Sequence, residues 1–369
     1  MHIELRTLLF TVLRGVHVVL LGSAAMRFDD LCTALQALEF PSDGERDHPE
    51  LRAVLAARSS IQDAVLDDDF LASCLHLELQ LLERNDLRPG LVPFFTMPGL
   101  GVRFAFGYWS PGGSPGPHEH TAWTITAVCR NELEVVTYDR EESYSRRELV
   151  LKNRFPASAG KVGYIYKPCI HAPINNSSRW SLSFHMTSPR DGEDPGDGCG
   201  DPLPGLLGRA RLDRTKSDHV YRKVIETRRR VRRIRAIGNM LPSLNSAKAS
   251  SLLDKCTALG GFMTDRPESG KPTRHGFALE RVHRDLELSY RLDAGMAVLY
   301  SETPTGSLKE LAVDSLGREA IAFVSKERSF TIEDMPGNLS PEERLHIADA
   351  LLETGLYVKI GDDYACTSD

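Results

Sequence analysis

No CxxC pair occurs in the sequence: its seven cysteines, Cys32, Cys74, Cys129, Cys169, Cys199, Cys256 and Cys366, are scattered and odd in number. That spacing excludes a zinc ribbon and argues against a secreted disulfide framework, so a reducing cytoplasm is the expected compartment. A long uninterrupted apolar run is also missing. The stretch Leu8 to Ala25 is broken by Arg14 and His17 and falls short of the roughly 20 apolar residues a spanning helix needs. It reads as an N-terminal helix, as an overlong start upstream of Met26, or as a signal peptide, because Gly22-Ser23-Ala24-Ala25 is a small-residue segment of the kind found before cleavage sites. Positive charge is not in excess. The formal net charge is −6, so no whole-chain basic field draws in nucleic acid. No internal repeat is detectable, which sets solenoids and propellers aside.

What is present is an ordinary globular composition, 41% apolar and 26% charged over 369 residues, long enough for two folded units. From Met26 to Leu87 the pattern is helical: Leu31, Leu35 and Leu38 recur at three- and four-residue spacing, as do Leu71, Leu75 and Leu79, with a break at Pro41 to Gly44. After Pro89-Gly90 the period becomes two. Alternation over Val102 to Trp109, Trp123 to Arg130, Glu132 to Tyr138, Val162 to Lys167 and Arg179 to Thr187 predicts short strands of an antiparallel barrel or jelly roll. The Gly-, Pro- and Asp-rich segment Ser188 to Pro204 suits a linker. The expected division is therefore a helical segment over 1–89 packing on the barrel, a barrel over 90–190, a linker over 191–217 and a second unit over 218–369.

The chemistry-bearing motif is Pro117-His118-Glu119-His120. Histidines at i and i+2 of a strand emerge on the same face, close enough to chelate one ion. His171 follows 51 residues later, about the distance a meander needs to return beside its start, and supplies a third imidazole. On the run Arg179 to Thr187, Trp180, Leu182, Phe184 and Met186 form an apolar face. Ser181, Ser183, His185 and Thr187 form a polar one, which is expected to look into the barrel. His185 there is either a proton relay or orienting group beside the metal, or a hydrogen-bonded interior histidine.

These residues resemble the cupin superfamily: a Gly/Pro-rich turn at Ser110 to Pro117, then HxH, then a later strand carrying His171 and Asn175. Many cupins place a glutamate four or five residues after HxH; Thr124 and Ile125 stand there instead. That departure points to the three-histidine branch. Ser181-Leu-Ser-Phe-His-Met-Thr-Ser-Pro189 looks like the matching strand of the cysteine dioxygenase-type thiol dioxygenases, with Ser183 and His185 in place and Thr187 replacing a tyrosine. The resemblance covers roughly residues 95–190. It implies a double-stranded β-helix, Fe(II) held by His118, His120 and His171, O₂ as cosubstrate, and catalytic roles for Ser183 and His185. Zinc or nickel would suit three imidazoles as well. The family also needs a cation for a substrate carboxylate; Arg103 is the first candidate and Arg179 the second. Tyr164 or Tyr166 could supply the missing phenol, and Thr187 completes the expected substrate-contacting set with Arg103 and Tyr164. Because Thr187 replaces the tyrosine and Ile125 stands where mammalian-type members carry a cysteine, the substrate implied is another small thiol, amino acid or biosynthetic intermediate rather than free cysteine.

In the second unit, Arg222-Lys223 and Arg228 to Arg235 contain eight basic residues within fourteen positions, a phosphate- or membrane-gripping run or a solvated helix. Ser340-Pro-Glu-Glu343 is a capping box for a helix through Leu345, Ala348 and Leu352 that stops at Gly355. Strands are expected at Glu310 to Asp314, Ala320 to Ser325 and Tyr357 to Ile360. Phe330 to Gly337 is similar to the C-terminal winged-helix domains of JmjC-type cupin oxygenases, which implies an α+β module for packing or homodimer formation. Its final helix is rich in Glu and Leu, so neither nucleic acid nor a membrane is an expected partner. Two functions stand side by side: a non-haem iron oxygenase, and a metal-dependent cupin that performs non-redox chemistry or senses a ligand.

Overall fold

The computed structural model describes residues 28–38, 40, 49–84, 93–120, 122–165, 169–189, 218–260 and 277–360. The possible leader before Met26, the linker, Tyr166, Cys199 and Cys366 lie outside these residues. Three helices come first: α1 (Phe28–Gln36), α2 (Leu51–Leu66) and α3 (Asp68–Glu83). The start of α3 is set locally, because the Asp67 carboxylate accepts hydrogen bonds from the backbone N–H groups of Asp69 and Phe70. Leu31 and Leu35 of α1, and Leu71, Leu75 and Leu79 of α3, are fully buried.

Nine strands follow: β1 (Phe95–Thr96), β2 (Arg103–Trp109), β3 (His118–His120), β4 (Thr124–Arg130), β5 (Glu132–Asp139), then helix α4 (Arg140–Arg146), β6 (Val150–Ser158), β7 (Val162–Ile165), β8 (Cys169–Ile174) and β9 (Ser181–Thr187). They form two antiparallel sheets, ordered β1-β2-β9-β4-β7 and β3-β8-β5-β6. Of the two expected arrangements this is the two-sheet one: among the described residues the hydrogen bonding is split between two antiparallel sheets and does not run round one closed barrel. The chain changes sheet between β4 and β5 at Asn131, which takes a left-handed φ of 60°. Its amide donates to Ser181 Oγ at 3.0 Å and to the Arg179 carbonyl at 3.2 Å, so the turn is tied to the entry of β9.

In the five-stranded sheet β9 lies between β2 and β4. Its apolar face, Leu182, Phe184 and Met186, joins Phe104 and Phe106 of β2 and Ile125 and Ala127 of β4 in one core with α1 to α3. Ring contacts link Phe70, Phe94, Phe104 and Phe106 to Phe184 at centroid separations of 5.6–6.2 Å. Cys74 and Cys129 sit in this core, and burial pushes both thiols far up, leaving them protonated and inert.

The remaining elements are α5 (His219–Met240), α6 (Ala249–Gly260), β10 (Ala278–Arg281), β11 (Glu287–Asp293), β12 (Met296–Thr303), β13 (Gly306–Val313), α7 (Arg318–Val324), β14 (Ser329–Thr331), α8 (Pro341–Thr354) and β15 (Tyr357–Ile360). They build two three-stranded sheets, β14-β10-β15 and β11-β12-β13. The capping box at Ser340 and Glu343 is present. Gly355 closes α8 with φ +75°, and a Cβ there would lie 2.5 Å from the Val224 carbonyl and the Arg228 nitrogen of α5, so only glycine fits. Residues 320–325 are a correction to the expected strand. Ala320, Ile321 and Val324 are buried at helical spacing, so this segment folds as α7.

Helix α5 is shared between cores. Tyr221 and Val224 belong to the C-terminal core, and Ile234, Ile237 and Met240 belong to the core beneath β9. The basic run is not a freely solvated face either. Arg228 donates to the Thr354 carbonyl at 2.6 Å and to Glu310 at 2.6 Å, Arg230 to the Leu82 carbonyl at 2.7 Å, and Arg235 pairs with Asp349 and Glu353. Arg233 pairs with Glu78 of α3, whose side chain is 1% exposed, and donates to the Phe106 carbonyl of β2 at 2.9 Å. The Tyr108 hydroxyl donates to the same carboxylate at 2.8 Å. Among the described residues no helix is long and apolar enough to cross a membrane.

Removing one partner of a buried pair strands the other charge in low dielectric. Arg233→Met is therefore expected to lower stability by about 3–5 kcal/mol in urea denaturation. Adding Glu78→Gln, which removes the orphaned charge while keeping an acceptor for Tyr108, should recover much of that loss.

Candidate metal centre

Strand β3 carries His118 and His120 on one face, and antiparallel pairing with β8 sets His118 directly opposite His171. The three imidazoles offer ligand atoms that all lie within 4.8 Å of one another. The Nε2 atoms of His118 and His171 are 3.0 Å apart. Nitrogens bound to one ion at about 2.1 Å stand roughly 3–3.5 Å from each other, so the spacing fits a single metal. Two further observations fit the same reading. The Gly116 carbonyl lies 3.1 Å from His118 Nδ1, so Nδ1 carries the proton and Nε2 presents its lone pair to the centre. Burial, reinforced by the neighbouring His118, His120 and His185, pushes His171 down to about 2, which leaves it neutral and able to coordinate.

Between the two sheets lies a cavity of about 390 Å³ that reaches His171 and is lined from β2, β4 to β9 and α4. His185 and Ser183 line it, as the polar face of β9 required. His185 Nε2 is 2.8 Å from Ser183 Oγ, and its Nδ1 is 3.3 Å from Thr126 Oγ1. Trp109 Nε1 donates to Ser183 Oγ at 2.8 Å. An indole nitrogen only donates, so Ser183 accepts there, and its hydroxyl remains within hydrogen-bond distance of His185 Nε2. Gly107 sits opposite Ser183 in β2, and a Cβ there would lie 2.6 Å from Ser183 Oγ and 2.9 Å from His185 Nε2.

The structure separates the expected substrate-contacting residues. Tyr164 lines the cavity, and burial pushes its phenol up to about 12. Arg103 and Thr187 are paired opposite each other at the end of the sheet, and neither is part of the cavity lining. The Arg103 guanidinium donates to the Ser188 carbonyl at 2.9 Å, so it is spent on the backbone that leaves β9. Arg179, just before β9, lies 3.5 Å from Asn131 of the β4–β5 turn. The cations in the lining are instead Arg140, Lys152 and Lys161. Arg140 pairs with Glu119, the residue between the two HxH histidines, and Glu119 also accepts from Tyr144.

Sequence reading missed Trp109, Gly107 and Thr126, although strand parity places them on the His185 side of their strands. It also missed Arg140 and the two lysines, which no local pattern marks because three separate strands and turns bring them to one cavity.

No family model and no curated protein matches the chain. Solved structures are similar in part. An oxalate oxidase in complex with the substrate analogue glycolate is 22% identical, with 32% of this chain and 61% of that chain covered at a TM-score of 0.22. A cupin superfamily protein from Desulfitobacterium hafniense is 16% identical over 24% of this chain and 66% of that one, with a TM-score of 0.19. Lactobacillus farciminis oxalate decarboxylase in its formate complex is 18% identical over 29% and 32%, with a TM-score of 0.23. The chain thus spans about three fifths of the oxalate oxidase's length. At these scores the likenesses carry no weight for activity, and the centre stands on its own geometry.

His171→Ala is expected to abolish stoichiometric metal binding, read by elemental analysis, while circular dichroism remains that of the parent; full occupancy in the variant would refute the triad. Gly107→Ala should cost about 1–3 kcal/mol through overpacking and displace Ser183 from His185, visible as a changed His185 imidazole resonance.

Proposed function

We propose that this chain is a cupin-type, three-histidine, non-haem iron(II) oxygenase acting on a small molecule, a thiol, an amino acid or a related intermediate, held between the two sheets. One observation carries the reading: a single cavity contains both the neutral imidazole His171 of the triad and the hydrogen-bonded series Trp109, Ser183, His185, Thr126. When bound, iron(II) would supply redox chemistry with O₂ as cosubstrate, whereas zinc would supply Lewis acidity alone.

The chain's own residues do the rest. His118, fixed by the Gly116 carbonyl, and His171, held neutral by burial, present the ligand nitrogens. His185 accepts a proton at Nε2 by way of the Ser183 hydroxyl, while Thr126 holds the opposite side of the ring. Trp109 fixes the direction of that hydroxyl. Val128, Leu133 and Ala157, with Trp109 and Val135, make a dry apolar wall. A wall of that kind excludes water and strengthens every polar contact inside. The C-terminal unit would serve packing, and its winged-helix character is proposed from helices followed by a short strand pair together with the sequence of Phe330 to Gly337.

The test is metal analysis of the purified protein, then anaerobic reconstitution with Fe(II) and oxygen-electrode assays against small thiols and amino or carboxylic acids. Near-stoichiometric iron with substrate-dependent O₂ uptake is expected; tightly held zinc without O₂ uptake would overturn the oxygenase in favour of non-redox chemistry or ligand sensing. In the active protein, His185→Gln should reduce turnover at least about 100-fold with metal occupancy unchanged.

A further inference from the structure

We infer that, within the substrate range proposed above, the cavity selects a monocarboxylate with an apolar body and no ammonium group, which narrows that range by setting aside zwitterionic amino acids as well as small dianions. This rests on the reading of the His118, His120 and His171 centre as the reacting site, which the cavity reaches through His171. The argument begins with charge. Among the described residues that line the cavity there are three cations, Arg140, Lys152 and Lys161, and no aspartate or glutamate. The Arg140 charge is matched by Glu119. Lys152 and Lys161 are exposed at the rim. Lys161 donates only to the Pro156 carbonyl, at 3.4 Å, and rests 5.7 Å from the Phe155 ring centroid. A carboxylate entering the cavity therefore finds a countercharge at the rim, whereas an ammonium finds none and is repelled by the lysines.

The second part is the character of the walls. Val128, Leu133, Val135, Phe155, Val162 and Ile165 line the cavity, and a volume of about 390 Å³ lies within the range that takes a ligand well beyond the size of a two-carbon acid. A dianion such as oxalate could meet the two lysines but would leave these apolar side chains uncovered. An aliphatic or aryl-alkyl carboxylate covers them and keeps its single charge at the rim, with its body extending toward His171 and His185.

The test compares ligands that differ by one group on the purified full-length protein, with metal content measured on the same sample. Isothermal titration calorimetry under anaerobic conditions would use 3-phenylpropanoate, phenylalanine, 3-phenylpropanamide and oxalate. The expected result is that 3-phenylpropanoate binds at least tenfold more tightly than each of the others, about 1.4 kcal/mol. Lys152→Gln combined with Lys161→Gln should weaken 3-phenylpropanoate by tenfold or more without altering metal content. Equal or tighter binding of phenylalanine, oxalate binding tightest, no binding of any probe, or an unchanged affinity in the lysine variant would each overturn the inference. A carboxylate preference in a protein that takes up no metal would sink the metalloenzyme reading and leave the cavity assignment standing.

Discussion

The two-residue alternation of β9 is the constraint on which the rest of this molecule depends. Lying between β2 and β4, it gives Leu182, Phe184 and Met186 to the helices and Ser183 and His185 to the cavity. A slip of one residue would exchange the faces, sending His185 into a core of phenylalanines and Phe184 toward the metal ligands. Burial of the apolar face fixes the register, so the same packing that stabilises the sheet also aims the polar series at His171. The small residue at 107 belongs to this arrangement, because a side chain there would occupy the space of the Ser183–His185 contact.

The second organising element is α5. Its arginines are internal ties, joining α3, β2, β13 and α8. Arg233 reaches the most deeply buried carboxylate. By pairing with Glu78 and donating to the Phe106 carbonyl, it fixes the apolar side of the strand that carries Trp109 into the cavity. The C-terminal part of the chain is thereby built into the back of the sheet that bears His185. A basic run usually reads as a partner-binding face; here enough buried carboxylates and carbonyls lie opposite it to absorb four of its arginines.

Some of this was visible in local pattern. HxH on a strand fixes two ligands on one face, and the apolar/polar alternation of residues 179–187 fixes which side chains of β9 meet the cavity. The capping box at Ser340 and the stop at Gly355 were legible for the same reason, since both are determined within one turn of helix. The segment 320–325 was misread as a strand because five apolar residues in a row fit either period, and only packing against β11 and β12 selects the helix. Arg103 was misplaced as a cavity residue. Its position at the end of the sheet, where a departing backbone carbonyl claims its guanidinium, depends on where β9 ends.

The sequence by itself determined most of the strand and helix periods, the His118 and His120 pair on one strand face, and the polar face of β9, because each follows from neighbours a few residues apart; His171 joins that pair through the pairing of β3 with β8. Tertiary structure alone decided that the strands divide into two sheets, that the basic helix is tied inward, and that Trp109, Arg140, Lys152 and Lys161 share one cavity. These are contacts between distant segments, set by which surfaces can be buried together, and no local spacing encodes them.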